Sequence, residues 1–285
     1  MTLTQGADWA PMMLAVAPNG ARKTQADHPA VPISPAELAA TAAAAQAAGA
    51  AMIHLHVRDA EQKHSLDVGA YREATAAVRE AVGDKMVIQV TSEAVGIYSA
   101  QQQMAMVREL QPEAVSLAIR EVVPDAAAED EAKEFFAWLV GSGILPQYIL
   151  YAPEDVARFG ALEASGVIPP GPAFLLFVLG RYTVGQRSVP SDLLPYSQAL
   201  GDWPEAAKLP WAVCAFGPME TACVTAAAAF GGHARVGFEN NLFLPSGVQA
   251  RDNAELVAAS AAAVAAIGRP LADAATARRM MAGEL

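Results

Sequence analysis

Short apolar runs alternate with longer segments of helical periodicity along the whole chain. Eight of these runs have the length of buried strands, at residues 13–17, 52–57, 86–91, 114–119, 147–151, 174–179, 211–215 and 235–238. Apolar residues fill most positions in them instead of every second one, which is typical of parallel strands covered on both faces.

Helices are predicted between these strands. Ser34, Pro35 and Glu37 combine an N-cap, a proline at the first helical position and a capping-box glutamate, and they open a helix that runs to about Ala48. Further helices are predicted at residues 68–82, 99–110, 128–139, 153–164, 220–229, 253–267 and 270–281, and residues 185–200 are predicted to form a loop and a short helix.

Eight strands that alternate with helices predict parallel βαβ units, and their simplest closure is a (β/α)8 TIM barrel of the α/β class. We expect residues 1–285 to form a single barrel domain with a C-terminal helical extension. An open, doubly wound sheet is the rival arrangement. Neither a Gly-x-Gly-x-x-Gly motif after the first strand nor a P-loop is present, so a nucleotide-binding sheet is not favoured.

The charge of the chain excludes two classes of partner. A formal net charge of −11 offers no electrostatic footprint for nucleic acid or for an anionic membrane.

Residues 1–11 lack the basic and apolar segments of a signal peptide, and no apolar run is long enough to span a membrane. Cys214 and Cys223 are predicted to be buried free thiols, which suits a reducing cytoplasm.

Two histidines in the second predicted strand indicate metal chemistry. His54 and His56 are two residues apart, so in a strand both imidazoles point to the same face. In the last strand Arg235 and Glu239 are expected on one face, and barrel closure brings that strand near the second. Two histidines and a carboxylate form a catalytic rather than a structural site, with zinc favoured and manganese or iron left open. The alternative for Arg235 is a structural ion pair.

Amidohydrolases also carry a His-x-His strand, but they need further histidines on later strands and usually a metal-bridging lysine. The predicted strands at 147–151 and 174–179 carry neither residue type, and His28, His64 and His233 are predicted in loops. Amidohydrolase chemistry is therefore not favoured.

Further polar residues follow the ends of other predicted strands, where active sites of TIM barrels lie. The candidates for substrate contacts or catalysis are Asn19, Arg22, Ser92, Glu93, Ser116 and Asn240. The cations Arg181, Arg187 and Lys208 are possible phosphate partners, although loop cations are usually only solvated.

Four blocks carry a resemblance to a known family. Residues 17–21, 54–59, 112–117 and 235–242 resemble the beta-keto acid cleavage enzymes, the family of 3-keto-5-aminohexanoate cleavage enzyme. The resemblance implies a zinc-dependent TIM barrel, commonly a homotetramer, that uses acetyl-CoA as co-substrate and converts a 3-oxo acid to acetoacetate and a new CoA thioester. It further implies that His54, His56 and Glu239 bind zinc and that Arg235 is catalytic. Ser92 and Ser116 match hydroxyl positions in the substrate site.

Two positions depart from the family pattern. Asn240 stands where the family typically has an aspartate, and an amide cannot accept a proton as a carboxylate does. Glu93 or Asp59 could supply the missing carboxylate; alternatively, Glu93 only pairs with Arg22 or Arg120. Arg22 stands where relatives that act on amino-bearing substrates have glutamate, so we expect a substrate tail that is not cationic, with a 3-oxo dicarboxylate as one candidate.

Three functions remain open at this point. The first is acetyl-CoA-dependent cleavage of a 3-oxo acid. The second is a metal-dependent aldolase or lyase that needs no CoA. The third is a metal- or ligand-binding relative whose catalysis Asn240 has altered.

Overall fold

The computed structural model describes residues 9–203, 205 and 208–285. The expectation that residues 1–11 hold no signal peptide concerns a segment of which residues 1–8 lie outside the described residues. The strands are β1 (Leu14–Val16), β2 (Met52–Leu55), β3 (Val57–Arg58), β4 (His64–Ser65), β5 (Val87–Thr91), β6 (Ala114–Ala118), β7 (Leu145–Leu150), β8 (Phe174–Leu179), β9 (Trp211–Ala215) and β10 (His233–Val236). Eight of them form a closed parallel barrel in the order β1-β10-β9-β8-β7-β6-β5-β2. The predicted TIM barrel is confirmed.

Helices connect these strands on the outside. They are α1 (Pro35–Ala47), α2 (Val68–Val82), α3 (Ala100–Leu110), α4 (Ile119–Val122), α5 (Glu129–Gly141), α6 (Glu154–Ala164), α7 (Leu194–Gly201), α8 (Glu220–Ala229), α9 (Asn253–Ala266) and α10 (Ala274–Met281). The predicted start of α1 is confirmed, because the Ser34 side chain accepts a hydrogen bond from Glu37 N and the Glu37 carboxylate accepts one from Ser34 N. No helix in the described part of the chain is long and apolar enough to cross a membrane.

The two faces of the strands carry different side chains. One buried cluster lies inside the barrel and includes Met13, Met52, Val87, Phe174 and Cys214, while a larger one lies between the strands and the helices. Two residues beyond Met52 and Val87 along their strands come His54 and Gln89, which stand opposite each other in register. The barrel interior therefore changes from apolar to polar toward the C-terminal ends of the strands.

The C-terminal segment closes the other end of the barrel. Met12 N donates to Pro270 O at 2.8 Å, and Ala272 N donates to Met12 O at 2.8 Å. Helix α10 then places Ala277, Met280 and Met281 in the interior cluster. Apolar side chains therefore fill this end of the barrel, and the polar interior residues lie toward the opposite rim.

Two parts of the chain differ from the predicted elements. The strand predicted at 52–57 ends at Leu55, and residues 57–58 pair with residues 64–65 as an antiparallel hairpin, which places His64 in a strand and not in a loop. The strand predicted at 235–238 occupies 233–236, so His233 also lies in a strand, and the chain turns at Gly237. Strand alternation therefore does not account for the position of Glu239.

Candidate metal centre and active site

Three side chains converge where β2 and β10 reach the rim. Nε2 of His54 and Nε2 of His56 are 3.1 Å apart. Glu239 Oε2 lies 3.5 Å from the first nitrogen and 3.4 Å from the second. Among the described residues these three form the group of potential ligands that could hold a metal ion.

The three residues fit a divalent ion. A tetrahedral ion bound at about 2.0–2.1 Å separates its ligand atoms by about 3.3 Å, which is close to the spacing of this triangle. Glu239 Oε2 is buried and has no hydrogen-bond partner among the described residues, so an electron pair is free to bind an ion. Two histidines and one carboxylate leave further coordination positions for substrate oxygens.

A chain of amides orients His54. Its Nδ1 lies 2.8 Å from Gln89 Oε1, and Gln89 Nε2 donates to Gln147 Oε1 at 3.3 Å. Because a carbonyl oxygen only accepts, Nδ1 carries the proton and the lone pair of Nε2 points toward Glu239. Burial, together with the nearby Arg235 charge, holds the pKa of His54 well below its usual range, so the ring is neutral as a metal ligand requires.

His64 in the hairpin orients His56 in the same way. His64 Nε2 lies 3.0 Å from the backbone oxygen of Glu93, so this nitrogen donates. Burial lowers the pKa of His64 to about 3, which keeps the ring neutral and leaves Nδ1 as an acceptor. That atom lies 3.3 Å from His56 Nδ1, so His56 donates to it and keeps the lone pair of its own Nε2 for an ion.

Arg235 and Glu239 form a buried ion pair. Arg235 Nη2 donates to Glu239 Oε1 at 2.7 Å. Burial alone would raise the pKa of Glu239, but the positive charge of Arg235 opposes burial most strongly, and that pKa is held well below its usual range. Burial also opposes the charge on Arg235, and Glu239 more than offsets it and raises the pKa of Arg235. Arg235 Nε and Nη1 have no partner among the described residues, so two donors are available to a ligand.

A tight turn brings Glu239 to this position. Gly237 has a φ of +132°, and a Cβ there would lie 2.6 Å from Ala17 O, so only glycine fits. Its N–H donates to the carboxylate of Glu220 at 3.1 Å, and the same carboxylate accepts from Asn241 Nδ2 at 3.2 Å. Burial raises the pKa of Glu220 to about 8, so this carboxyl group is protonated more readily than an exposed glutamate. Its role is to accept the hydrogen bonds that hold the turn.

The loop after β1 closes over the turn. Asn19 donates to His56 O at 2.9 Å and to Pro32 O at 3.0 Å, and its Oδ1 accepts from His56 N at 3.3 Å. Gly20 has a φ of +60°, and a Cβ there would lie 2.5 Å from Glu239 Cγ. The loop therefore fixes the backbone of one histidine and approaches Glu239 closely.

A cavity of about 280 Å³ opens beside these three residues. Its walls contain two of the candidate metal ligands and residues from seven of the eight barrel strands or the loops that follow them. They are Asn19, Gly20, Ala21, Arg22, Lys23, Asp27, His54, Thr91, Glu93, Ile149, Tyr151, Val178, Arg181, Gln186, Phe216, Arg235 and Glu239. A small anionic ligand would find both apolar and cationic surface here.

Glu93 lines the cavity and pairs with two arginines. Its Oε1 lies 3.5 Å from Arg22 Nη1 and 3.8 Å from Arg181 Nη2, while its Oε2 lies 4.0 Å from His56 Nδ1. Burial, which outweighs the nearby positive charges, raises the pKa of Glu93. The pairing of Glu93 with Arg22, one of the two expected from the sequence, is observed. The other, with Arg120, is not observed, because Arg120 binds Asp155 at 2.6 Å.

Several other predicted residues lie behind the cavity wall. Ser92 is buried and donates to Gln103 Oε1 and to Ser116 O, both at 3.3 Å, and Ser116 Oγ donates to Thr91 Oγ1 at 3.3 Å. Thr91 is the hydroxyl residue of this group on the cavity wall. Asn240 is buried, and neither polar atom of its side chain has a partner among the described residues.

Asp59, proposed as a substitute carboxylate, is exposed and lies in the hairpin turn. Its Oδ1 accepts from Glu61 N at 3.0 Å and from Lys63 N at 2.8 Å. Asp59 is therefore a turn residue, and Glu93 is the carboxylate that reaches the cavity. Cys214 and Cys223 are free and buried, as predicted.

Sequence reasoning did not assign the roles of four residues that shape the site: His64, Gln89, Gln147 and Arg181. Gln89 and Gln147 had a signal, since each is a polar residue inside an otherwise apolar strand. His64 had none, because a two-residue strand carries no periodicity. Arg181 was noticed only as a loop cation.

The fold and this site define a TIM barrel with a candidate metal site at its rim, and comparison with known proteins names its family. The profile of the beta-keto acid cleavage enzymes matches residues 11–282, so the chain belongs to that family. It is 29% identical over 277 residues to the 3-keto-5-aminohexanoate cleavage enzyme of Fusobacterium nucleatum, covering 95% of this chain and 97% of the relative.

Two further similarities agree with this. The 3-oxoadipate:acetyl-CoA acetyltransferase of Cupriavidus necator is 27% identical over 279 residues, covering 95% of this chain and 94% of the relative. The solved ternary complex of ObcA with C4-CoA adduct and oxalate superposes with a TM-score of 0.71 at 18% identity, covering 89% of this chain and 67% of that chain. At that identity the second similarity supports the fold alone.

Proposed function

We propose that this protein transfers the acyl group of a 3-oxo acid to CoA, with acetyl-CoA as co-substrate and acetoacetate as the second product. A new bond joins C2 of the 3-oxo acid to the acetyl carbon of acetyl-CoA. The bond between C2 and C3 then breaks, and the released CoA thiolate takes the acyl group. The observation that carries the proposal is the buried His54, His56 and Glu239 triangle beside Arg235, in a chain of this family.

His54, His56 and Glu239 are the proposed metal ligands, with zinc as the metal and manganese or iron as alternatives. A divalent ion held there would polarise the oxygens of a 3-oxo acid and so acidify its C2 protons. The protein's own contribution is to present two imidazole nitrogens and one ionised carboxylate in fixed orientation, which Gln89 and His64 support.

Arg235 is proposed to bind negative charge that develops on the substrate. It keeps its charge, because its pKa is raised, and its Nε and Nη1 donors are free among the described residues. A buried, prepositioned cation stabilises an oxyanion more than a solvated one does. Arg235 is therefore an electrostatic group and not the base.

Glu93 is proposed as the general base that removes a C2 proton. It lines the cavity, and burial raises its pKa toward the range where a carboxylate is an effective base. Asn240 is proposed to act only by shaping the turn after Gly237, since its amide is buried and cannot take a proton. Ser92 and Ser116 would support Thr91, and Asn19 would hold the backbone of His56.

The substrate tail is proposed not to be cationic, because Arg22 stands at the cavity wall. By analogy with the family we further propose a homotetramer in the cytoplasm that acts on small molecules, with no nucleic-acid or membrane partner.

A product assay tests the proposal. Metal-loaded protein, acetyl-CoA and a panel of 3-oxo acids are incubated, and acetoacetate and new CoA thioesters are measured. We expect both products in equal amounts, and none with His54→Ala. Cleavage of the 3-oxo acid without CoA and without acetoacetate would favour a lyase. Binding of the 3-oxo acid without any product would favour a binding protein.

A further inference from the structure

One oxygen of Glu93 lies between two guanidinium groups. Arg22 Nη1 and Arg181 Nη2 both approach Oε1, at 3.5 and 3.8 Å. Each guanidinium has five donors, and neither contact is short or two-pronged. Two guanidinium charges thus face one carboxylate charge. Most N–H donors of the two guanidinium groups remain available to a ligand.

The two arginines differ in how firmly they are held. The Arg22 side chain is 57% exposed, while that of Arg181 is 13% exposed and lies over the Phe216 ring at 5.3 Å from its centroid. Arg181 follows Gly180, whose turn packs so closely on the backbone of Arg187 that a Cβ would lie 2.7 Å away. A shielded and prepositioned cation binds an anion more strongly than a solvated one.

The charge of the cavity also points to an anion. Its lining has four cationic side chains (Arg22, Lys23, Arg181 and Arg235) and three anionic ones (Asp27, Glu93 and Glu239). With a divalent ion bound, the formal charge becomes three positive. A 3-oxo acid with one carboxylate neutralises one of these charges, and a dicarboxylate neutralises two.

The position of the arginines relative to the metal site matters as well. Glu93 Oε2 faces His56 at 4.0 Å, while Oε1 faces the two arginines. Both arginines line the same cavity as His54 and Glu239, and neither belongs to the candidate metal ligands. A substrate whose first carboxylate and ketone lie at the metal would extend its tail through this cavity toward them.

We propose that Arg181, assisted by Arg22, binds a second carboxylate at the distal end of the substrate, and that the preferred substrates are 3-oxo dicarboxylates. Arg181 is the main specificity-determining residue and Arg22 the weaker partner, because of their difference in exposure. This inference rests on the proposed function and names its substrate class.

Two variants and two substrates test it. Arg181→Gln and Arg22→Gln are assayed with 3-oxoadipate and with 3-oxohexanoate, which has the same chain length and no distal charge. Because both arginines also contact Glu93, the readout is the ratio of kcat/KM for 3-oxoadipate to that for 3-oxohexanoate. Arg181→Gln should lower this ratio about 10- to 100-fold, as expected for a charge-assisted pair. Arg22→Gln should lower kcat/KM for 3-oxoadipate relative to 3-oxohexanoate as well, but by a smaller factor.

Equal losses on both substrates, a raised KM for acetyl-CoA alone, or a larger effect of Arg22→Gln would each overturn the inference. If the wild-type protein makes no acetoacetate from either substrate, the proposed function fails separately. The inference is then tested by calorimetric binding of unreactive adipate and hexanoate to zinc-loaded protein. Wild type must prefer adipate, and Arg181→Gln must remove that preference.

Discussion

Replacing Gln89 by methionine should weaken zinc binding without a large change in the fold. Gln89 Oε1 is the acceptor for the Nδ1 proton of His54, at 2.8 Å in a fully buried position. Methionine keeps the length and removes the acceptor. In the metal-free variant the His54 proton moves to Nε2, where Glu239 Oε2 lies 3.5 Å away and can accept it.

The cost therefore falls on the metal-bound state. Zinc binding needs the Nε2 lone pair and forces the proton back to Nδ1, where it has lost its buried acceptor. An unpaired buried N–H costs about 1–3 kcal/mol. This corresponds to about a 5- to 150-fold loss of zinc affinity, which overlaps the range of about 10- to 100-fold found for partners of metal-binding histidines.

The assay is a competition titration of zinc against a chromophoric chelator, with Tm measured on the metal-free protein. Gln103→Met is the matched control, because Gln103 is also buried and accepts one hydrogen bond, from Ser92 at 3.3 Å, without touching either histidine. Both variants should lose stability, and only Gln89→Met should lose zinc affinity. Zinc affinity within about twofold of wild type for Gln89→Met would refute the reasoning.

Three further predictions concern acid stability, the Gly237 turn and the base. Burial and Arg269 lower the pKa of His233 to about 3, so its neutral form stabilises the fold above about pH 6.5 and this contribution is lost as pH falls toward 3. Between pH 7.5 and 5 the stability difference between wild type and His233→Asn, measured by urea unfolding, should shrink by about 2 kcal/mol; parallel curves would contradict this. Gly237→Ala should cost about 2–4 kcal/mol, because its Cβ meets backbone, whereas Gly247→Ala, also at positive φ but with open space, should cost less; equal losses would exclude the steric argument. Glu93→Gln should lower kcat about 10²- to 10⁴-fold with zinc affinity retained, and unchanged kcat would remove Glu93 as the base.

The parts of the fold with strong local signals could be predicted from the sequence. The strands at 174–179 and 211–215 and the helices at 68–82 and 220–229 match the predicted bounds, because apolar runs or helical periodicity extend through them. The His54 and His56 pair was visible for the same reason, since a two-residue spacing has a direct geometric meaning in a strand.

The rest depends on contacts between distant segments. Glu239 reaches the histidines through a turn at Gly237 and close packing with Gly20, and strand alternation does not describe that path. His64 acts from a short hairpin, and Arg181 meets Glu93 only where two rim loops come together. Such contacts leave no periodic pattern, because loop conformation follows from tertiary packing.

The central claim is best tested by following carbon from acetyl-CoA. Protein loaded with zinc is given unlabelled 3-oxoadipate and acetyl-CoA with ¹³C in both acetyl carbons, and the products are analysed by mass spectrometry. The account predicts acetoacetate with both labels at C3 and C4, together with an equal amount of an unlabelled new CoA thioester. Unlabelled products, or cleavage that proceeds equally without acetyl-CoA, would contradict it.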